Sequence, residues 1–342
     1  MKTSMYSSFV KKAYTTKIRT TQVLSWLVAS VLLIGVLAAC SPSATESVLG
    51  NVAQDAAAEG AAAVIQDAPG LPTVDDLLST DPITTSFEDA YAERDLFGVT
   101  DTTYTNMRSM PSSSAGYTLT SGFYELEAES FCLKAGTHGP SEGDGYLPAP
   151  LVGERRQIVY KILTTYAGNP NVSQRDAQVL LWAIIASTPF SDMSARVQAT
   201  AIALLNEEEL FELNNGVIGL VPDPVWFELE QQIPAPVRAI YRAERNIRNL
   251  VASANSSYET LETVAVLSGA APASSLSRQV PRGQWAEHPE GYFVRYFPSG
   301  YSRTRVEVYV PPETTVTFDP SVSVAAPANT GAQRLGIGTP AN

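Results

Sequence analysis

The sequence predicts an α+β fold. Three observations carry that expectation: apolar and acidic residues alternate over 123–129, apolar stripes recur at helical spacing through 154–252, and two-residue alternation returns over 292–310. With 342 residues, 44% of them hydrophobic and 17% charged, the chain holds enough apolar material to bury a sizeable core. The expected domain is single, spans 115–320, and orders an N-terminal strand, a central helical layer and a C-terminal β-hairpin. A leader at 1–39 and a disordered, acidic Ala/Ser/Thr-rich tether at 40–114 precede it, and a disordered Ala/Pro/Gly/Thr-rich tail at 321–342 follows.

Each element has a local reason. Phe123-Tyr124-Glu125-Leu126-Glu127-Ala128-Glu129 has the period of a half-buried strand, with Glu125, Glu127 and Glu129 on its solvated face, and it runs into Phe131-Cys132-Leu133. Residues 136–153 contain Gly136, Gly139, Pro140, Gly143, Gly145, Pro148, Pro150 and Gly153, too many breakers for a regular element. Ile158, Ile162 and Leu163 share one face of a helix over 154–167. Ser173 with Asp176 makes a capping-box pattern that opens a helix over 174–187, apolar on most faces after Gln178 and expected at the centre of the core. Helices over 195–205 and 207–213 follow, the second closed by Asn215-Gly216, and two more over 224–232 and 236–252 start at proline. Residues 292–297 and 303–310 flank the turn Pro298-Ser299-Gly300 as a hairpin, with Thr304, Val306, Val308 and Val310 on one face; 314–318 adds a strand. Half of Trp285, Tyr292, Phe293, Tyr296, Phe297, Tyr301 and Tyr309 should face the core, leaving the outward half open to a sugar or a partner's strand.

Charge and composition exclude several function classes. Acidic residues number 35 against 23 basic ones, for a formal charge of −12, which argues against a nucleic-acid partner gripped through phosphates. Two cysteines and two histidines exclude a disulfide-dense scaffold and a zinc site built from several Cys or His ligands. No cofactor is expected.

The first 40 residues carry an address. Lys2, Lys11, Lys12, Lys17 and Arg19 occur without an acid in 1–22, and 23–39 is apolar apart from two serines. That run ends in Leu37-Ala38-Ala39-Cys40, which resembles the lipobox of bacterial lipoprotein signals. The resemblance implies cleavage between Ala39 and Cys40, a diacylglycerol on the Cys40 sulfur and an acylated new amino terminus. It also implies a lipid-anchored place in the cell envelope, with Ser41 directing the protein to the outer membrane in a bacterium that has two. An uncleaved anchor is the alternative, since the apolar run approaches bilayer length. All five basic residues named here leave with the signal, so the mature chain is more acidic than the whole. The expected partners are the membrane, through lipidated Cys40, and an envelope or extracellular protein or glycan.

Beyond Cys40, Cys132 is the only thiol, and it admits three readings. One is a small buried apolar residue at a strand end. The second is a thioester with Gln178: Phe131-Cys132-Leu133-Lys134 and Ala177-Gln178-Val179-Leu180-Leu181-Trp182 resemble the paired Cys and Gln segments of thioester domains in bacterial surface adhesins. A thiol that displaces ammonia from a side-chain amide makes an acyl electrophile, stable while water is excluded. The third is a cysteine hydrolase with His138 or His288 as base. In the loop at 137–146, Glu142 and Asp144 with backbone carbonyls are candidates for holding a hard cation, without the repeated acids of an EF-hand or the ending of a phosphate-binding loop. The expected function is a lipid-anchored, non-enzymatic binding or structural module, with the thioester adhesin and the hydrolase as alternatives.

Overall fold

The strand expected over 123–129 is the central strand of the molecule, β3 (Gly122–Cys132); Leu126 and Ala128 are buried and Glu127 is exposed, as the alternation requires. The computed structural model describes residues 85–96, 103–215, 235–272 and 277–338, all within one unit, Pro69–Asn342. On one side β3 pairs with β9 (Arg303–Val310), which continues to β8 (Phe293–Pro298) and the short β7 (Ala286–Glu287). On the other it pairs with β12 (Leu335–Ile337), then β11 (Ser323–Pro327) and β5 (Tyr146–Pro150). These pairings are antiparallel, while β1 (Tyr104–Asn106) runs parallel to the start of β3. The sheet curls so that edge strand β5 lies against β8. Two small pairs stand apart, β2 (Tyr117–Leu119) with β10 (Val316–Phe318) and, in parallel, β4 (Thr137–His138) with β6 (Val266–Leu267).

The expected hairpin is β8–β9, and Thr304, Val306, Val308 and Val310 all point into the sheet's interior beside Leu126, Tyr146 and Tyr296. Six helices are described: α1 (Arg156–Ala167), α2 (Gln174–Ile185), α3 (Ala195–Leu204), α4 (Glu207–Asn215), α5 (Ala235–Ala252) and α6 (Tyr258–Ala265). The Ser173 hydroxyl accepts the Asp176 N–H at 3.1 Å and caps α2, whose Leu180, Leu181, Trp182 and Ala183 are fully buried. The helical layer forms a second core with Phe131, Cys132 and Leu133, so the end of β3 is where sheet and helices meet. The expected helix over 224–232 lies outside the described residues.

Three expectations are corrected. The tether does not run to residue 114: Tyr104–Asn106 adds a strand to β3, Met107 and Phe87 are buried, and the Thr85 hydroxyl donates to Pro150 O at 2.9 Å. Backbone pairing and two apolar anchors order a stretch whose composition is that of a linker. The Gly/Pro-rich stretch at 136–153 contains β4 and β5; Pro148 and Pro150 are tolerated because β5 is an edge strand. Beyond α5, helix α6 is capped by Ser257, whose hydroxyl accepts the Thr260 N–H at 3.2 Å. The disordered tail is the largest correction, for β11 and β12 sit between β5 and β3 and are buried throughout. Its small residues are a packing requirement. A Cβ on Gly336 would come within 3.0 Å of Leu133 Cδ1, and one on Gly338 within 2.8 Å of Phe131 Cε2.

Candidate functional site

Cys132 is the last residue of β3, and its neighbours follow from where the ladders end. β9 leaves β3 at Glu129, where it pairs with Arg303. On the β12 side, Cys132 faces Leu335 as a pair that exchanges no backbone bond, for the nearest one runs from Leu133 N–H to Arg334 O. The peptide groups of Cys132 therefore point toward the helices, and α2 supplies the missing partner. The Gln178 carboxamide accepts the Cys132 N–H at 2.8 Å and donates to the Cys132 carbonyl at 3.0 Å, as an adjacent strand would. One turn earlier, Gln174 donates to Ser130 O and to Ser302 O. Four residues of helix rise about 6 Å and two residues of strand about 6.6 Å, so two glutamines one turn apart match every second residue of β3.

The sulfur has a different glutamine. Cys132 Sγ lies 2.5 Å from Gln333 Oε1, which projects from the segment leading into β12. Even charge-assisted O–H···O⁻ bonds between smaller atoms span about 2.5–2.7 Å. A sulfur and an oxygen this close have the spacing of two atoms bonded to a common carbon. The orientation of the Gln333 amide follows from its other end: Nε2 donates to Thr137 O at 2.9 Å and to Ala265 O at 3.1 Å, and two carbonyls can be met only by the NH₂ group. The main chain of Gln333 is held as well, its N–H by His138 O at 2.8 Å and its carbonyl by the Tyr146 hydroxyl at 3.2 Å. Cys132, Gln333 and Trp182 are completely buried, and Gln178 nearly so.

Burial pushes the Cys132 thiol up to about 12, against weaker downward pulls from the Trp182 indole, the Lys134 backbone and Gln333. The indole N–H of Trp182 is buried and makes no hydrogen bond among the described residues. The Trp182 ring packs on Tyr258 and Tyr301, centroids 5.5 and 6.5 Å away; their hydroxyls are 2.7 Å apart, and that of Tyr301 donates to Glu262. A lid covers Gln333: β4 pairs with β6, the His138 N–H donates to Gly331 O, and the His138 ring Nδ1 lies 3.0 Å from Ser268 O.

The other sequence candidates fall elsewhere. Neither histidine has a hydrogen bond to Cys132. His138 turns its ring to the Ser268 and Gly269 carbonyls, and His288 is buried, stacked 4.3 Å from Tyr292 with Tyr91 on its edge. Burial lowers the His288 pKa. With a thiol pKa raised and no imidazole beside it, the arrangement needed for a cysteine hydrolase is not assembled. The Asp144 carboxylate is used by the Ser141 N–H and hydroxyl, both at 2.7 Å, and no group of three His, Cys, Asp or Glu side chains placed to hold a metal forms among the described residues. Of the aromatic set, Tyr292 and Tyr296 are buried; Phe293, Tyr309 and Phe123 stack along the outer face with Arg295 over Trp285 at 4.3 Å, so much of the outward half is engaged by its own neighbours. Cys40 lies outside the described residues.

Sequence reasoning missed Gln333. Its only local signal is that it falls in phase with Leu335 and Ile337, two residues apart on what proves to be a buried strand. No protein-family model matches the chain, and no curated protein or solved structure does either.

Proposed function

We propose that this is a lipid-anchored cell-envelope protein whose domain carries an internal thioester between Cys132 and Gln333 and uses it to attach covalently to a partner beyond the membrane. The observation that carries the reading is the 2.5 Å approach of Cys132 Sγ to Gln333 Oε1 in a site closed to solvent. The thiol adds to Gln333 Cδ, the S–C bond forms as the C–N bond breaks, and the thiol proton leaves on the nitrogen as ammonia. No oxidant is needed. A neutral thiol is a poor nucleophile, so closure depends on fixed proximity of thiol and amide. Once formed, the ester is protected by the same burial that made the site.

This reading keeps the resemblance to adhesin thioester domains and reassigns its pair. The Cys132 and Gln178 segments do come together, but Gln178 is occupied by the Cys132 main chain. Its amide holds the cysteine in place for Gln333. The anchor belongs to the same reading: lipid on Cys40 and an acidic stretch after it would present a reactive domain away from the membrane. Among the described residues no helix is long and apolar enough to cross a bilayer, and the segment assigned to membrane targeting, 23–39, lies before them.

One measurement tests both parts. The intact mass of the full chain extracted from membranes should show acyl chains in place of residues 1–39 and a deficit of one ammonia. Cys132→Ala and Gln333→Asn should each abolish the deficit, whereas folded Gln178→Ala should retain it. A deficit that survives Gln333→Asn and disappears in Gln178→Ala would return the pair to Gln178. A full mass, with a thiol that reacts only after unfolding, would leave a binding module with a structural cysteine.

A further inference from the structure

We infer that the cleft between the turn at 113–116, the C-terminal end of α1 and the segment 319–321 binds an amino sugar through its ammonium group. The cleft shares no lining residue with the Cys132 site, so its use does not depend on the ester. Its volume is about 330 Å³, at the lower end of the ~300–1,000 Å³ of small-molecule sites. Hydrogen bonds fix its walls. Ser113 and Gly116 exchange both backbone bonds, at 2.9 and 3.0 Å, and the Ser113 hydroxyl accepts the Ala115 N–H at 3.1 Å. Gly116 is required there, for its φ is +98° and a Cβ would lie 2.2 Å from Phe318 O. Asp319, next along from Phe318, caps the short 3₁₀ turn Pro320–Val322 by accepting the Ser321 N–H at 2.9 Å.

The charge of the cleft is negative. Among its described lining residues Asp319 alone is ionised, and no Lys or Arg of the described residues forms an ion pair with it. Its Oδ1 takes the N–H and hydroxyl of Ser321 and its Oδ2 the Tyr160 hydroxyl at 3.3 Å, so of about four lone-pair sites one on Oδ2 stays open. That charge is felt at Tyr160, whose pKa is raised by burial first and by Asp319 second. Ala167 and Gly168 bring the negative end of α1, a helix of 12 residues with no basic residue in its last turn. The Ala167 carbonyl has no hydrogen-bond partner among the described residues. A carboxylate without a counter-ion beside a helix C-terminus calls for a cation, and an ammonium brings three N–H donors to it. A bare metal ion would find one carboxylate where calcium takes about 6–8 oxygen ligands. The hydroxyls decide the rest of the ligand. Ser112 and Ser114 line the cleft, and their side chains have no protein partner among the described residues. They can pair with ring hydroxyls, which a lysine side chain or a polyamine lacks, whereas a hexosamine carries ammonium and hydroxyls together.

The test uses the full chain with Cys132→Ala, which has no ester to consume an amine, at about pH 6, below the range in which amines lose their proton. Glucosamine, N-acetylglucosamine, glucose and butylamine are titrated by ligand-observed NMR. Glucosamine is expected to bind about tenfold tighter than the two sugars without a charge and than butylamine, which has no hydroxyls. Asp319→Asn keeps an oxygen for Ser321 and removes the charge, and it should bring glucosamine to the level of glucose. Ser114→Arg, at an exposed position, sets a fixed cation at the cleft and should weaken glucosamine by a similar factor. Equal binding of glucosamine and glucose would overturn the cation site, and equal binding of glucosamine and butylamine would overturn the sugar. An advantage of glucosamine that survives both substitutions would overturn the cleft as its seat. None of these outcomes bears on the ammonia deficit, which reports the thioester separately.

Discussion

Gln178 and Gln333 reach the same cysteine with the same functional group, one from a helix and one from the segment before a strand, and they act on different atoms. The helical amide replaces an absent strand, holding the N–H and C=O of Cys132. The other amide holds nothing of the Cys132 main chain and meets the sulfur, its nitrogen being taken by the Thr137 and Ala265 carbonyls. The difference lies in the elements behind them. Helix α2 is the most buried helix of the layer and brings Gln174 and Gln178 to β3 as a pair, so its amides are structural. Gln333 comes from a segment pinned between the β4–β6 lid and β12, with its amine end on two carbonyls and its carbonyl end on the thiol. A site that is rigid behind the sulfur and covered by a two-residue ladder in front is suited to keeping an acyl group dry until a partner displaces the cover.

Removing the strands that deliver Gln333 should have the largest effect. A chain ending at Pro320 loses β11 and β12, which separate β5 from β3, and exposes the sheet interior around Leu126 and Tyr146. It should show no cooperative unfolding transition, whereas a chain ending at Gly338 should unfold as the full chain does. A truncated chain with native near-ultraviolet dichroism and a sharp transition would mean that the C-terminal arm is an accessory, and the two glutamines would no longer stand on equal scaffolds.

The same contrast explains what the sequence made legible. The half of the site on α2 was readable because amphipathic period, a serine cap and an apolar run are local signals, and so was β3, whose Leu126 and Ala128 alternate with acids. The half around Gln333 was not. Residues 321–338 are short and small because they fill narrow space against Leu133 and Phe131, and small residues are also what disordered tails are made of. Pro148 and Pro150 concealed β5 in the same way, since a proline on an edge strand and a proline in a loop look alike until the edge is known. The pairing of Cys132 with Gln333 spans 201 residues and is set by topology, which no spacing rule encodes.

An intermediate effect separates the two amides energetically. In a Cys132→Ala background, where no ring can form, Gln178→Ala leaves a buried N–H and a buried C=O unpartnered and should cost about 2–5 kcal/mol, read as a shift of the denaturation midpoint. Gln174→Ala, one turn away on a part-exposed bond to Ser130 O and Ser302 O, should cost about 1 kcal/mol. Equal costs would mean that Gln178 holds no more than a surface strut.

The smallest effect concerns the sulfur itself. In Gln333→Asn the Cys132 thiol is free, and burial, which with Gln333 in place pushes it up to about 12, keeps it above the ordinary value of 9.0. Between these two values the unfolded chain sheds its thiol proton and the folded chain keeps it. Burial of the neutral thiol therefore carries no penalty below pH 9, and stability falls as pH rises above it, by about 1.4 kcal/mol per pH unit. Gln333→Asn should lose about 1 kcal/mol more than Gln333→Asn with Cys132→Ala when urea unfolding at pH 8 is compared with that at pH 10. The ring-closed protein, which has no thiol to titrate, should follow the double variant until its ester hydrolyses. Parallel pH profiles for the two variants would place the free sulfur in contact with water once Gln333 is shortened, and the dryness of the site would then be a property of the Gln333 side chain rather than of the helices behind it.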